Sequence, residues 1–148
     1  EELARLGLPA RDEYVLEGDF YDESGYRATR QLLELDEPPT ALFAASDLMA
    51  AGALRAAHDL GVAVPEGLAI VGFDDIALAA LIQPPLTTVR QNMEAIGEAA
   101  AEALGEMIDD PEAAPQRLLV PTQLIVRSSS GGERAPRERT LATEEEVS

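Results

Sequence analysis

Cysteine and lysine are both absent from this chain of 148 residues, and each absence removes a class of chemistry. Without cysteine the chain has no disulfide bonds, no thiolate metal sites and no cysteine nucleophile. Without lysine, a phosphoryl-transfer site would lack the cation that commonly balances phosphate charge. No apolar run approaches the roughly 20 residues that a transmembrane helix needs, so no membrane span is predicted.

Positive charge is also scarce. The chain has 28 acidic residues against 11 basic ones, a formal net charge of −17. Proteins gain affinity for DNA by neutralising its phosphates with basic side chains, so this chain is not expected to contact DNA itself, although its protein could bind DNA elsewhere. Its hydrophobic content of 46% is too high for a disordered protein, and its length fits about one domain.

Short apolar runs alternate with helical patterns in the first half of the chain. This alternation predicts right-handed βαβ units, and therefore an α/β fold with a parallel sheet and helices on both faces. The continuous apolar run Thr40–Ala45 is typical of a strand covered on both faces. The predicted elements are a strand at Tyr14–Leu16, a helix at Ser24–Leu35, a strand at Thr40–Ala45, a helix at Leu48–Leu60 and a strand at Leu68–Phe73.

The second half follows a different pattern after the break at Pro84-Pro85. It predicts an extended segment at Leu86–Val89, a helix from Asn92 to about Ile108, a last strand from Leu118 to Val126 interrupted at Pro121, and a disordered tail from Ser128. At the other end, Glu1–Leu6 is typical of the last turn of a helix, which predicts that the chain is part of a longer protein.

Candidate ligand-binding residues follow the three predicted strands, because ligands bind beyond the carboxyl ends of parallel strands. A carboxylate accepts hydrogen bonds from hydroxyl or ring N–H groups, and an aromatic ring covers a flat apolar surface. A small polar ligand with an apolar face, such as a sugar or a nucleobase, is therefore predicted. The strand ends are Asp19-Phe20, Ser46-Asp47 and Asp74-Asp75.

Each of these residues also has a simpler interpretation. Phe20 could be a core aromatic, and Asp47 is better explained as a helix cap than as a ligand contact. Asp74 and Asp75 occupy positions where turns often carry aspartate. They could together hold Mg²⁺ for phosphoryl transfer, but no catalytic motif accompanies them, so no enzyme, cofactor or metal site is predicted. His58 is expected on the surface.

Several segments of the sequence resemble the lactose/galactose repressor (LacI/GalR) family of bacterial transcription regulators. They arrive in family order over roughly residues 1–129 and match the second half of the family's effector-binding core. The matching segments are Gly18-Asp19-Phe20, Glu23-Ser24-Gly25-Tyr26, Ser46 to Leu54, Gly61 to Pro65, Ile70 to Asp75, Pro84 to Val89, Gly97 and Leu124 to Ser128.

The resemblance implies a periplasmic-binding-protein-like fold of two lobes with the effector in the cleft between them. Residues 1–83 would form most of the C-terminal lobe, residues 84–117 a crossover and a helix of the N-terminal lobe, residues 118–127 a returning strand and residues 128–148 a tail. The N-terminal lobe would be incomplete, and the DNA-binding headpiece would lie outside this chain.

The resemblance also assigns roles to individual residues. Phe20 would stack on the effector, and Asp74 would bind its hydroxyl or ring nitrogen groups. Ser46 stands where the family often has an asparagine that contacts the ligand, while Met93 and Ile96 would line the pocket. The residues expected at a homodimer interface are Ala51, Leu54, Arg55 and Ile82.

These observations together favour the effector-sensing and dimerisation part of a cytoplasmic transcription regulator. A sugar or nucleobase-like metabolite would modulate operator binding through the headpiece. The alternative is a sugar-binding protein of an uptake system, which shares the fold and works as a monomer outside the cytoplasm.

Overall fold

The computed structural model describes Arg5, Gly7, residues 11–110 and residues 117–132. The predicted helical turn at Glu1–Leu6 lies outside the described residues except for Arg5, which is helical. The elements are, in chain order, a 3₁₀ helix at Asp12–Tyr14, α1 at Asp22–Leu33, β1 at Ala41–Phe43, α2 at Asp47–Asp59, β2 at Ala69–Asp74, α3 at Ala77–Leu81, β3 at Thr87–Arg90, α4 at Met93–Asp109, β4 at Gln123–Ile125 and a 3₁₀ helix at Ser128–Ser130.

The strands form one sheet in the order β1-β2-β3-β4. The first three strands are parallel, with Leu42 opposite Ile70 and Val71 opposite Thr87. β4 runs antiparallel to β3 and adds an edge to the sheet. The predicted α/β fold built on a parallel sheet is therefore confirmed, with one antiparallel strand added.

The hydrophobic core lies between α2 and one face of the sheet. Small side chains on α2 let the helix backbone approach the strands closely, and Gly72 of β2 adds to this because a Cβ there would collide with Asp47. Complete burial of a leucine or isoleucine stabilises the fold by about 1.5–3 kcal/mol. The fully buried core residues are Ala50, Ala57, Leu68, Ile70, Ala79 and Leu86.

α1 packs against α2 through two glycines. A Cβ at Gly25 would collide with the backbone of Met49, and a Cβ at Gly52 would collide with the carbonyl of Asp22. Neither position can carry a side chain unless the two helices move apart. This close crossing holds the start of α1, and with it the residues that precede α1, beside the start of α2.

β1 differs from the strand that the sequence predicts. Its central residue, Leu42, packs on the core, but the ring of Phe43 is 64% exposed on the other face of the sheet. Phe43 contacts Phe73 edge to face, with 6.4 Å between the ring centroids. The prediction that Thr40–Ala45 is covered on both faces is thus wrong, because Ala41 and Phe43 are exposed while only Leu42 between them packs on the core.

The prediction of a strand at Tyr14–Leu16 is also wrong. Tyr14 ends a 3₁₀ helix, and its hydroxyl donates a hydrogen bond to the carbonyl of Glu37 at 2.6 Å. Val15 follows in extended backbone that pairs with no described strand, and its side chain is 79% exposed. Three apolar residues are too few to distinguish a strand from an extended connection.

The boundary predicted at residue 84 does not divide the sheet. Thr87–Arg90 forms β3 and pairs in parallel with β2, so the segment belongs with the preceding residues and not with a crossover. Pro84-Pro85 only turns the chain back from α3 toward the sheet. The placement of α4 in a second lobe stays a prediction.

The chain beyond β4 begins with folded residues, which corrects the prediction of a disordered tail from Ser128. Ser129 is completely buried, and its hydroxyl donates to the carbonyl of Ile70 at 2.6 Å and accepts from the N–H of Thr87 at 2.8 Å. This serine satisfies backbone groups of two strands. Residues 133–148 lie outside the described residues.

The last strand is shorter than predicted, because it begins at Gln123, beyond Pro121. The remaining helix and strand predictions agree with the structure to within a few residues. The helices α2 and α4 are present, and the side chain of Asn92 caps α4 by accepting from the N–H of Ala95 at 3.1 Å. None of the helices in the described ranges has both the length and the apolar character needed to cross a bilayer.

Candidate functional site

The structure brings Phe20, Ser46 and Asp74 to the same edge of the sheet. Ser46 follows β1, and its hydroxyl donates to the carbonyl of Phe20 at 2.9 Å. Asp74 is the last residue of β2, the neighbouring parallel strand. Because the carboxyl ends of parallel strands share one edge, Asp74 and the backbone of Phe20 lie at the same edge of the sheet.

Phe20 is not a core aromatic in this chain, and its contact with a ligand stays a prediction. Its ring is 64% exposed, and its backbone has a φ of 67°, in the left-handed region that large side chains rarely adopt. The neighbouring hydrogen bonds hold this conformation. The N–H of Asp19 donates to the hydroxyl of Ser24 at 3.2 Å, and the carboxylate of Asp19 accepts from the N–H of Tyr21 at 3.1 Å.

The sequence predicts that Asp47 caps α2. This prediction is wrong, because the cap is Ser46. Ser46 has extended backbone, and its hydroxyl accepts from the N–H of Met49 at 3.1 Å. Its single proton is donated to Phe20, and the side chain is buried, with a relative exposure of 5%. Ser46 therefore positions Phe20 through hydrogen bonding, while its direct contact with a ligand stays a prediction.

Asp47 is a buried carboxylate that joins three segments. Its Oδ2 accepts from the N–H of Ile76 at 2.8 Å, and its Oδ1 accepts from the hydroxyl of Thr88 at 2.6 Å. Burial raises the pKa of Asp47, the hydrogen bonds from Thr88 and Ile76 oppose this, and the charges of Asp74 and Asp75 add to it. The carboxylate cannot cap α2 because it points to the β2–α3 turn instead.

Asp74 lies in a turn that the sequence shows only as an acidic pair. Its φ is 109°, its side chain is partly buried, and its Oδ1 accepts from the side-chain amide of Gln91 at 2.8 Å. Sequence analysis missed Gln91, which follows β3. The strand register places Asp74 opposite Arg90, next to Gln91, and could have indicated the role of Gln91. That register can be predicted only if Leu86–Val89 is recognised as a strand of this sheet.

Asp75 is held by two arginines. Its φ is 57°, and its side chain has a relative exposure of 5%. Arg90 donates to Oδ2 at 2.6 Å, and Arg127 donates to Oδ1 at 2.7 Å. Burial alone would raise the pKa of Asp75, but the hydrogen bonds and charges of Arg127 and Arg90 outweigh it and hold the pKa below its ordinary value.

These contacts argue against a Mg²⁺ site on the acidic pair, because arginine already occupies both oxygens of Asp75. In the part of the chain that the structure describes, no group of three or more histidine, cysteine, aspartate or glutamate side chains could hold a metal ion.

Met93 and Ile96 begin α4, one helical turn apart. Met93 is 65% exposed, and Ile96 is partly buried. Both follow closely on Gln91, whose amide reaches Asp74, so the start of α4 adjoins the candidate site. Their contact with a ligand stays a prediction.

The residues predicted at the dimer interface meet in a surface groove between α2 and the segment after α3. The groove has a volume of about 330 Å³. Its lining residues include all four predicted ones and are Ala51, Leu54, Arg55, His58, Ile82 and Gln83.

Comparison with known proteins gives a consistent result. Residues 1–130 match the family described as periplasmic binding protein-like domain. The HTH-type transcriptional repressor PurR of Yersinia pestis is 39% identical over 127 residues, which cover 86% of this chain and 37% of that protein. The chain therefore spans well under half the length of the curated relatives that it matches.

Solved structures agree with the sequence relatives. The transcriptional regulator CelR in complex with cellobiose has a TM-score of 0.81 at 40% identity, covering 86% of this chain and 39% of that one. A LacI family transcriptional regulator from Enterococcus faecium with bound ribose has a TM-score of 0.75 at 30% identity, covering 89% of this chain and 48% of that one. The chain therefore belongs to the periplasmic binding protein-like family, as part of a LacI/GalR-family effector-binding core.

Proposed function

We propose that this chain binds a small-molecule effector for a LacI/GalR-family transcription regulator. The observation that carries the proposal is the placement of Phe20 and Asp74 at one edge of the sheet, both in left-handed backbone. Such strained residues persist only where the surrounding structure holds them, and they cluster at ligand sites. The relatives described above are regulators, which supports this function over that of an uptake protein.

The chemistry of the site favours a sugar or a nucleobase-like metabolite. The exposed ring of Phe20 suits the apolar face of such a ligand. Gln91 donates to Oδ1 of Asp74, and Oδ2 meets no donor from the described residues, so it is free to accept from a ligand hydroxyl or ring N–H. Two similar regulators have cellobiose and ribose bound, which supports the sugar class.

Regulation would follow from linkage between effector and DNA. The effector changes DNA affinity only to the extent that it binds the two arrangements of the protein differently. With a net charge of −17, this chain would leave the DNA contacts to another part of the longer protein, working in the cytoplasm.

NMR titration of the isotope-labelled chain with cellobiose, ribose and hypoxanthine tests effector binding. We expect at least one of them to shift the signals of Phe20, Asp74 and Gln91, with weak affinity because the N-terminal lobe that would complete the cleft is incomplete. In Asp74→Ala the affinity falls about tenfold or more, because hydrogen bonds to a charged acceptor are lost. The control Asp36→Ala removes an exposed carboxylate and keeps the affinity. Shifts that survive Asp74→Ala unchanged would contradict the site.

We further propose that the chain forms a homodimer through the groove beside α2. Leu54 and Ile82 give the groove an apolar lining, and Arg55 provides a cation in a strongly acidic chain. The guanidinium of Arg55 is fixed by Glu23 at 2.8 Å and lies 4.5 Å from the centroid of the Tyr26 ring. A two-fold axis would set the same groove of each protomer against the other.

Sedimentation velocity over the micromolar range tests the dimer. Ala51→Glu places one added negative charge in the groove of each protomer and is expected to give monomers. Gln31→Glu adds the same charge on the exposed side of α1 and is expected to leave the dimer intact. A wild-type chain that stays monomeric throughout would refute the proposal.

A further inference from the structure

The turn after β2 contains two consecutive residues in left-handed backbone. Asp74 has a φ of 109° and Asp75 a φ of 57°, and neither is glycine. This conformation is unfavourable for residues with a Cβ and needs external contacts to persist. The proposed effector-binding carboxylate therefore depends on whatever fixes the turn.

The contacts that fix the turn converge on the carboxylate of Asp75. Two nitrogens of Arg90, Nε and Nη2, lie 2.6 Å from its Oδ2. Nη2 of Arg127 donates to its Oδ1 at 2.7 Å, and Nη1 of the same guanidinium donates to the carbonyl of Leu86 at 2.7 Å. Charge-assisted hydrogen bonds of this kind are short and directional, so both oxygens are held in defined positions.

The two arginines belong to segments on either side of α4. Arg90 ends β3 and is followed directly by Gln91, which donates to Asp74. Arg127 lies just beyond β4, the strand that follows α4 in the sequence. The carboxylate of Asp75 thus connects the turn that carries Asp74 to the segment before α4, through Arg90, and to the segment after β4, through Arg127.

We infer that Asp75 is a positioning residue for the effector site, which orients Asp74 for the ligand and ties it to the two segments that flank α4. The inference rests on the proposed function of Asp74. Asp75 itself is not proposed to touch the effector, because its side chain is only 5% exposed and both of its oxygens accept from arginine.

A ligand-free measurement tests the positioning step in the full chain. Asp75→Asn keeps the shape of the side chain and removes its charge. We expect the carboxyl ¹³C signal of Asp74 and the side-chain amide signals of Gln91 to shift, while signals of the α2 core stay in place. Asp22→Asn is the matched control, because Asp22 also pairs with an arginine, Arg55, but on the exposed surface. Unchanged Asp74 and Gln91 signals in folded Asp75→Asn would overturn the inference.

A titration with cellobiose and ribose tests the consequence for binding. For a sugar that shifts the wild-type signals, we expect about tenfold weaker affinity in Asp75→Asn at temperatures where the chain is fully folded. Arg90→Gln provides a second variant that keeps the Arg127 pair, and we expect it to show a smaller loss. Wild-type affinity in both variants would overturn the inference.

The two arms separate failure of the inference from failure of the proposed function. If neither sugar affects the wild-type chain but Asp75→Asn still displaces the side-chain amide signals of Gln91, Asp75 holds the turn that carries Asp74 and the sugar assignment fails. If a sugar binds the wild type and Asp75→Asn equally well, the function stands and the positioning role does not.

Discussion

The three carboxylates at the carboxyl edge of the sheet are held in three different ways. Asp47 is buried and accepts from two neutral donors, Thr88 and the backbone of Ile76. Asp75 accepts from two guanidinium groups, and Asp74 accepts from an amide while remaining partly exposed. Their surroundings shift the pKa values of Asp47 and Asp75 in opposite directions, which has measurable consequences for stability.

Asp47 should make the protein relatively more stable in mild acid. Burial raises its pKa in the folded state above the unfolded value, so the folded chain holds the proton more tightly. Its contribution to stability is full below the unfolded pKa and is lost as the pH rises through the folded pKa. We therefore expect the unfolding free energy of wild type minus that of Asp47→Asn, from urea denaturation, to increase as the pH falls from neutral to about 4.

Asp75→Asn provides the internal contrast for this measurement. The pKa of Asp75 is lowered, so its contribution is present above the unfolded pKa and is lost as the pH falls through the folded pKa. The unfolding free energy of wild type minus that of Asp75→Asn should therefore decrease as the pH falls. Asp36→Asn is the control for the general loss of one negative charge. If the free-energy differences for Asp47→Asn and Asp75→Asn change with pH in the same direction, the opposite pKa shifts assigned to these two residues are contradicted.

At the residue scale, the sequence indicated which positions border the site but not how they are held. The strand-end pattern placed Ser46 and Asp74 at one edge, as the structure does. Phe20 follows no strand and reaches the same edge because its carbonyl accepts from Ser46, and ligand contact by any of the three stays a prediction. The pattern misassigned the cap because serine and aspartate cap helices equally well, and only the backbone angles at Ser46 decide between them. Gln91 and Arg127 were missed because their roles depend on strand register and on contacts between distant segments.

At the scale of elements, the packing of α1 on α2 sets the position of the strand-end residues. The glycines at the crossing bring the helix backbones together, and Phe20 lies just before α1 while Ser46 caps α2. A change in the separation of these helices would therefore move the aromatic ring relative to the sheet.

Gly52→Ala should destabilise the protein by about 1–3 kcal/mol, because the added methyl group collides with the carbonyl of Asp22. Chemical denaturation measures the change. Gly97→Ala is the matched control in α4, where an added Cβ meets no atom within 4 Å. There the better helix propensity of alanine should be neutral or stabilising by up to about 1 kcal/mol. Equal effects at the two positions would contradict the close crossing.

Elements with a sustained pattern were predictable and short ones were not. The helices α2 and α4 have caps and enough turns for their periodicity to be clear, and both were predicted within a few residues. The three residues at Tyr14–Leu16 resemble a strand locally but find no strand to pair with among the described residues. The sequence predicted that β3 is extended. Its pairing with β2 could not be predicted, because the residues of β3 do not by themselves indicate which strand lies beside them.

At the scale of the whole molecule, the chain divides into a packed part and an unpacked helix. The region from α1 to β3 shares one core with the buried Ser129, which ties the end of the described chain to β2 and β3. No residue of α4 is buried, and Met93, Leu104 and Ile108 are all more than half exposed. An apolar surface of this kind is typical of a face that packs against another lobe or another molecule.

Hydrogen exchange should therefore distinguish α4 from α2. Amides of α2 lie over the core and should exchange only through global unfolding, whereas those of α4 should exchange at least about a hundredfold faster, since a 17-residue helix without tertiary packing is only marginally stable. The measurement uses Ala51→Glu, the variant expected to be monomeric, and sedimentation of the same sample must show a monomer, because association with a second copy could protect α4. Core-level protection of α4 in a demonstrated monomer would mean that the helix is held within the chain itself, and its assignment to a second lobe would fail.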